Sequence, residues 1–454
     1  MGSDFLAELT WRGLLYQRTA EAALDAHLVA PGRVGYCGFD PTADSLTVGN
    51  LVPLTLLIHW QRAGHRPIAL VGGATGLIGD PSGRDQERPL LTREEVEANV
   101  AGQRRIFERL LDLDPRAPHR ASIVNNADWL TKLGFVDVLR DVGKHFSVNS
   151  MIQKESVRER LQQRDQGISY TEFSYMVLQA YDFLHLRREL GCTVQMAGSD
   201  QFGNITAGID LIHRVLRHGT EAYGVTSPLV THADGRKLGK SERGAVWLTP
   251  DRTSPYAFYQ YWINAADAEI GPLLRWFSLL PREEVELLER RHLAAPEERL
   301  AQRALAGHMT ERIHGRDERA RAENASEALF GRGDVRSLDG PTLAQVFADL
   351  PHSGHDRRAL SGAGTALVDL LPQTSLAGSK REAREFLAQG AIWVNGQRAD
   401  GARRLTHADL LAGRFVLIRR GKRHWHGTLW AEGAADSSPE GKIGRSPGQA
   451  SIDA

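Results

Sequence analysis

Short apolar runs alternate with longer stretches of helical periodicity from about residue 33 to residue 225. Residues 33–39 and 67–71 read as buried strands, the second leading straight into Gly72, Gly73 and Gly76. Residues 51–63 read as a helix, because Leu51, Leu54, Ile58 and Arg62 fall near one face. Strands alternating with helices predict an α/β fold, a Rossmann-like parallel sheet with helices on both faces. Ligands on such sheets sit at the carboxyl ends of strands, where the glycine-rich turns lie.

The rhythm breaks at about 129–165, which reads as a helical insertion in a first domain spanning 1–232. Within it Phe135, Val138, Leu139 and Val142 recur at helical spacing, a face suited equally to a core or to a second subunit. A loop-bearing connection, 233–255, leads to an all-α domain over 256–330, with helices expected at 282–291 and 296–308. Residues 331–375 are rich in Gly, Asp, Ser and Pro and read as a linker. Strands at 391–395 and 414–419 then predict a small α+β module over 376–431. The last stretch, 432–454, has almost nothing to bury and is expected to be disordered.

Composition narrows the class. The 454 residues, 41% hydrophobic and 25% charged, can bury several cores. Two cysteines, Cys37 and Cys192, exclude a disulfide scaffold and point to a reducing compartment. No apolar run approaches the roughly 20 residues of a membrane span, and no secretory core follows the N-terminus, so a cytoplasmic chain is expected. His424 and His426 read as surface residues and neither cysteine has a metal-ligand neighbour, so no metal site is expected. The net charge of zero conceals a basic end: 376–431 carries eleven Lys/Arg against four Asp/Glu. Such a module on a mildly acidic body suits a polyanion, or else is a solvated basic surface.

Four segments carry candidate chemistry. The first, Tyr36-Cys37-Gly38-Phe39-Asp40-Pro41, runs on through Asp44 to Thr47-Val48-Gly49-Asn50, a strand-to-helix turn whose amides could face phosphate. The second, Gly72 to Gly83, contains Thr75 and Asp80 and ends near Arg84 and Arg88; it lacks both the P-loop ending and the dinucleotide spacing. Asp80 reads either as an anion for an ammonium or as a turn cap. The third, Gly198-Ser199-Asp200-Gln201-Phe202-Gly203-Asn204, again follows a β-like run. The fourth, Lys237-Leu238-Gly239-Lys240-Ser241, sets two lysines in a glycine-flanked loop able to neutralise a polyphosphate.

In this order the segments closely resemble the bacterial tyrosyl-tRNA synthetases, from roughly residue 9 to 423. Tyr170 to Tyr175, Leu178 to Phe183, and the Arg419-Arg420-Gly421-Lys422 ending share in the resemblance. It implies ATP-dependent activation of L-tyrosine to tyrosyl-adenylate, then transfer to the terminal adenosine of tRNA(Tyr), with Mg2+ arriving with ATP. It also implies a homodimer built through the helical insertion, a helical anticodon-binding domain and an S-four-like RNA-binding module. Tyr36 and Asp182 match positions that hold the substrate phenol, a discrimination against phenylalanine for which this family is itself the standing example. Asp80, Thr75, Tyr175, Gln179 and Gln201 match positions around the ammonium and carboxylate. Packing would explain the helical pair Tyr175 and Gln179 equally well. Cys37, Gly38, Asp40, Gly49, Gly198 and Asp200 match the adenosine and ribose side. Lys237, Lys240 and Ser241 match the KMSKS loop, and Arg84 and Arg88 a basic pair in a second loop. His213 and Arg214 match an acceptor-stem region; Lys380, Arg384, Arg419, Arg420 and Lys422 match the basic face of the last module.

One departure bears on mechanism. Where the HIGH signature has His-x-Gly-His, this chain has Thr47-Val48-Gly49-Asn50, and His232 stands where a lysine often precedes the lysine loop. Asn50 can donate as an imidazole does, whereas the shorter Thr47 cannot become cationic, so weaker support for the leaving pyrophosphate is expected. Two alternatives therefore stay open: a non-catalytic RNA-binding paralogue, and a divergent or inhibitor-resistant synthetase.

Overall fold

The computed structural model describes residues 4–80, 90–154, 157–158, 168–217, 219–231, 238–241 and 244–432, with 240 and 241 described by backbone alone. Arg84, Arg88, His232, Lys237 and the tail from 433 lie outside them. The chain forms two compact units: Met1–Thr253 with Tyr261–Gly315, and Ser254–Gln260 with Arg316–Ala454.

The first unit is built on six strands: β1 (Gln17–Arg18), β2 (Val34–Phe39), β3 (Arg66–Val71), β4 (Ser122–Asn125), β5 (Cys192–Gly198) and β6 (Tyr223–Ser227). Their order is β1-β6-β5-β2-β3-β4, all parallel except the β1 edge. The sequence reading of a parallel α/β sheet holds. β2 and β5 are neighbours although far apart in sequence, so their carboxyl ends splay around a switch point. The helix Leu51–Arg62 follows β2, preceded by a 3-10 turn, Val48–Asn50. The helix Tyr170–Leu190 starts at Ser169, whose hydroxyl accepts the Glu172 N–H, and stops at Gly191 in the left-handed region. It packs against Phe202–Leu216, and Ala180, Phe183, Leu184, Ile205 and Leu211 share one core with Val34 and Tyr36.

The helices expected as one domain over 256–330 divide between the units. Those from 261 to 315 belong with the sheet, and arginines explain why. Arg12 donates to the carbonyls of Arg275, Ser278 and Leu280, Arg62 to Leu279 and Arg312 to Phe277, so three guanidiniums serve the carboxyl end of helix Ile270–Phe277. The helix expected at 296–308 instead starts at Leu300, because Arg299 at φ 53° breaks it from the preceding 3-10 turn.

The second unit contains a five-stranded sheet from β9 (His352–Asp356), β11 (Ile392–Val394), β12 (Gln397–Arg398), β14 (Phe415–Arg420) and β15 (His424–Ala431), in the order β12-β11-β14-β15-β9. Two short strands, β10 (Thr365–Ala366) and β13 (Arg404–Leu405), pair separately. The small α+β module is thus present but larger than expected. Residues 331–375 are not a linker. They supply the helix Gly340–Asp349, strand β9, and Leu360, Leu367, Leu370 and Leu371, all buried in the module's core. His426 is likewise buried, its ring nitrogens engaged by Ser375 and Ser353, because β15 is covered on both faces from Trp425 to Thr428.

Candidate active site

A cavity of about 470 Å3 opens at the carboxyl ends of β2 and β5. Alternation along β2 sends Tyr36 and Gly38 into it, while Cys37 faces the core with its thiol on the Pro53 carbonyl. Cys37 therefore does not line the cavity as expected for an adenosine contact. A side chain built on Gly38 would meet no protein atom nearer than 3.6 Å and would project into the cavity instead. Gly72 is the reverse case: a Cβ there would lie 2.3 Å from Thr75 Oγ1 and 2.6 Å from Asp40 Oδ1, so only glycine lets these two side chains meet.

At the inner end stand Tyr36 and Asp182, 1% and 2% exposed. Asp182 accepts from Asn126 Nδ2 (2.9 Å) and from Trp129 Nε1 (2.7 Å). Asn126 also donates to Thr75 Oγ1 (3.0 Å) and accepts the Ala74 N–H (2.8 Å), so one side chain ties the glycine-rich turn to the buried carboxylate. Burial pushes the Asp182 carboxyl up to about 7, against the pull of its two donors. The Tyr36 hydroxyl is buried with no hydrogen-bond partner among the described residues. Burial first, then the charge of Asp182, raises that phenol well above its usual range.

In the middle, Asp40 gathers three donors: Tyr175 Oη (3.2 and 3.0 Å to its two oxygens), Thr75 Oγ1 (3.1 Å) and the Asp80 N–H (3.2 Å). Asp80 accepts from Gln201 Nε2 (2.7 Å), and Gln201 Oε1 accepts from Gln179 (3.2 Å) and Asn204 (3.0 Å). Two carboxylates with Tyr175 and Gln179 make a cradle for an ammonium. Asp40, expected beside adenosine, is bonded into this group instead.

At the mouth the Thr47–Asn50 turn is braced by its own side chains. The Thr47 N–H and hydroxyl both donate to Asn50 Oδ1 at 2.9 Å. Val48 N–H donates to Val246 O, Leu248 N–H to Leu46 O, and Val246 N–H to Gly239 O, which lays the stretch after the lysine loop along this turn. Gly239, at φ 86°, lies so close that a Cβ would stand 2.9 Å from Gly49 N. The short strands β7 (Lys240–Ser241) and β8 (Gly244–Ala245) pair beside it. Gly198, Asp200 and Trp247 complete the lining.

Of the expected site residues the cavity brings together Tyr36, Gly38, Asp40, Thr47, Asn50, Thr75, Asp80, Tyr175, Gln179, Asp182, Gly198, Asp200 and Gln201. Asn126, Trp129 and Trp247 escaped the sequence reading, because each lies in a segment with no motif of its own; Asn204 closes the third segment but was given no role. His213 and Arg214 lie elsewhere on their helix, bonded to the carbonyls of Thr220 and His145. In the second unit Lys380 pairs with Asp369 (2.7 Å) and Arg420 donates to Leu376 O (2.6 Å). Arg419 lies between Trp393 and Trp425 at 4.9 and 5.2 Å, while Arg384 and Lys422 are exposed.

Residues 33–331 match the family described as tRNA synthetases class I (W and Y), and residues 342–427 match the Tyrosine--tRNA ligase SYY-like C-terminal domain. The chain is 51% identical to a Tyrosine--tRNA ligase of Roseiflexus castenholzii over 93% of its length and 99% of the relative. It is 50% identical to that of Bacillus caldotenax over the same shares. A C-terminally truncated mitochondrial tyrosyl-tRNA synthetase of Coccidioides posadasii superposes with TM-score 0.62 at 31% identity, covering 70% of this chain and 91% of that one. The chain belongs to the class I tRNA synthetases of the tryptophan and tyrosine group, and its activity is that of a tyrosine–tRNA ligase.

Proposed function

We propose that the cavity divides the labour of tyrosine activation along its depth. The inner end takes the phenol, which donates to Asp182 and accepts from Tyr36. The middle takes the ammonium, between Asp80 and Asp40, with Thr75, Tyr175, Gln179 and Gln201 around it. The mouth takes ATP: Gly38, Gly198 and Asp200 admit the adenosine and ribose, and the Gly49–Asn50 turn meets the phosphates. Lys237, Lys240, Arg84 and Arg88 neutralise charge, and Ser241 donates a hydrogen bond, as the tyrosine carboxylate attacks the α-phosphorus and pyrophosphate leaves. A ribose hydroxyl of the terminal adenosine of tRNA then takes the tyrosyl group from the adenylate. Magnesium enters with ATP and is held mostly by phosphate oxygens.

The observation that carries this reading is the buried Tyr36 hydroxyl, without a partner among the described residues, sharing the cavity with Asp182. An unsatisfied buried hydroxyl costs the protein roughly 1–3 kcal/mol, and a ligand that satisfies it recovers this. Tyr36→Phe is therefore expected to raise the melting temperature of the ligand-free protein while weakening tyrosine binding by about 1 kcal/mol. Tyrosine titration, repeated with phenylalanine, checks this. An unchanged ratio of the two affinities would remove Tyr36 from the phenol site.

For assembly, Phe135, Val136, Leu139, Val148 and Ile152 are 66, 72, 47, 56 and 40% exposed, a cluster of apolar side chains that suits a second copy of the chain. Phe135→Asp is expected to yield a monomer by sedimentation velocity; an unaltered dimer would move the interface elsewhere. For tRNA, His213 and Arg214 are assigned to the acceptor stem, and Lys380, Arg384, Arg419, Arg420 and Lys422 to backbone phosphates. No helix among the described residues is long and apolar enough to cross a membrane, and the reading adopted is a cytoplasmic enzyme.

A further inference from the structure

Arg252 lies outside every motif, yet it joins two parts of the site. Its Nε stands 2.6 Å from Asp44 Oδ1, and its guanidinium lies 4.6 Å from the centroid of the Trp247 ring. Asp44 lies just ahead of the Thr47–Asn50 turn. Trp247 lines the cavity, pairs with Thr47 in an antiparallel bridge, and its N–H donates to Thr253 Oγ1 (2.9 Å). Main-chain bonds from Leu248 to Leu46 and from Val48 to Val246 run either side of that bridge. The main chain sets the register between the turn and the stretch after the lysine loop, and a single guanidinium links Asp44, just ahead of the turn, to the Trp247 side chain.

The Arg252 and Asp44 side chains are 38% and 43% exposed, so solvent screens the pair and it adds little to stability. What the flat guanidinium does supply is orientation: it lies over the indole and forms an ion pair with the carboxylate. We infer that Arg252 is a positioning residue for adenylate formation, holding Trp247 and Asp44 so that the turn carrying Asn50 and the strand carrying Lys240 keep their spacing. This inference rests on the assignment of the mouth of the cavity to ATP.

The test measures tyrosine-dependent ATP–pyrophosphate exchange, tyrosine affinity and melting temperature for Arg252→Met, Asp44→Asn, their double variant and Arg252→Lys. Displacements of about 1 Å at a reacting centre cost on the order of a hundredfold in rate. The exchange rate of Arg252→Met is therefore expected to fall about tenfold to a hundredfold, with tyrosine affinity and melting temperature unchanged. The double variant should be no slower than the slower single one, and Arg252→Lys should recover only part of the loss. Exchange within twofold of the parent, or a parallel fall in tyrosine affinity and melting temperature, overturns the inference. Lys240→Ala in the same assay separates the two levels. If it exchanges normally, the ATP assignment itself fails; if it is slow while Arg252→Met is not, only the positioning role fails.

Discussion

Replacing Asp182 with Asn is expected to remove a pH-dependent cost that the ligand-free protein carries at the proposed phenol site. The folded carboxyl titrates at about 7 against an ordinary value of 3.8, chiefly because it is buried. Between those values the folded protein keeps a proton that the unfolded chain has lost, so stability falls as pH rises through the window. The whole span corresponds to roughly 4 kcal/mol. Other groups act in the opposite sense. His65, His314 and His426 are held at about 4, each chiefly by burial, so they favour folding as pH rises from about 4 to 6.5. Together they outweigh one carboxyl, and the total curve alone would hide it. The observable is the difference between Asp182→Asn and the parent, followed by denaturant unfolding from pH 5 to 8. Asn cannot accept from both Asn126 and Trp129, so the variant starts with a constant penalty. On top of that penalty its relative stability should climb with pH and level off above about 7. A flat difference would mean that Asp182 is ionised throughout. Tyrosine binding gives the mirror image, because the phenol needs an acceptor. Its affinity should weaken up to about tenfold per unit below pH 7 in the parent, and lose that dependence in the variant.

How much of this was legible in the sequence depends on where each partner lies. The switch-point cavity followed from the strand and helix rhythm, and Tyr36 and Gly38 announce themselves as alternate residues of one strand. Cys37, between them, had to point away, although the match to a motif assigned it to the ligand. Asp182 was legible by resemblance, but its supports Asn126 and Trp129 were not. They precede it by more than fifty residues in a stretch without a motif, and only the sheet brings the end of β4 beside the helix Tyr170–Leu190. Residues 331–375 misled for a different reason. Their Gly, Pro and Ser content mimics a linker and outweighs the helical spacing of the leucines that enter the core.

Asn50→Ala is expected to slow adenylate formation by about 10²–10³, or about 2.7–4 kcal/mol, the usual cost of losing one donor to a developing oxyanion. The geometry also changes the meaning of Thr47. Its hydroxyl and N–H both donate to Asn50 Oδ1, which fixes the amide and directs Nδ2 away from the turn. Among the described residues that Nδ2 has no partner, and both side chains line the cavity. Thr47 is thus less a shortened histidine than the group that orients Asn50. Thr47→Val should cost only about 1 kcal/mol, since one of the two bonds survives through the backbone. Thr47→His alone should not raise the rate, because imidazole cannot fill the hydroxyl's place against Asn50. Asn50→Asp supplies the discriminating case: it keeps both acceptor bonds to Thr47 yet sets a carboxylate at the proposed phosphate position. It should be at least as slow as Asn50→Ala, with most of the loss in the maximal rate of ATP–pyrophosphate exchange. If Asn50→Asp instead exchanges close to the parent rate, the residue only braces the turn, and the phosphate must be met by the lysine loop alone.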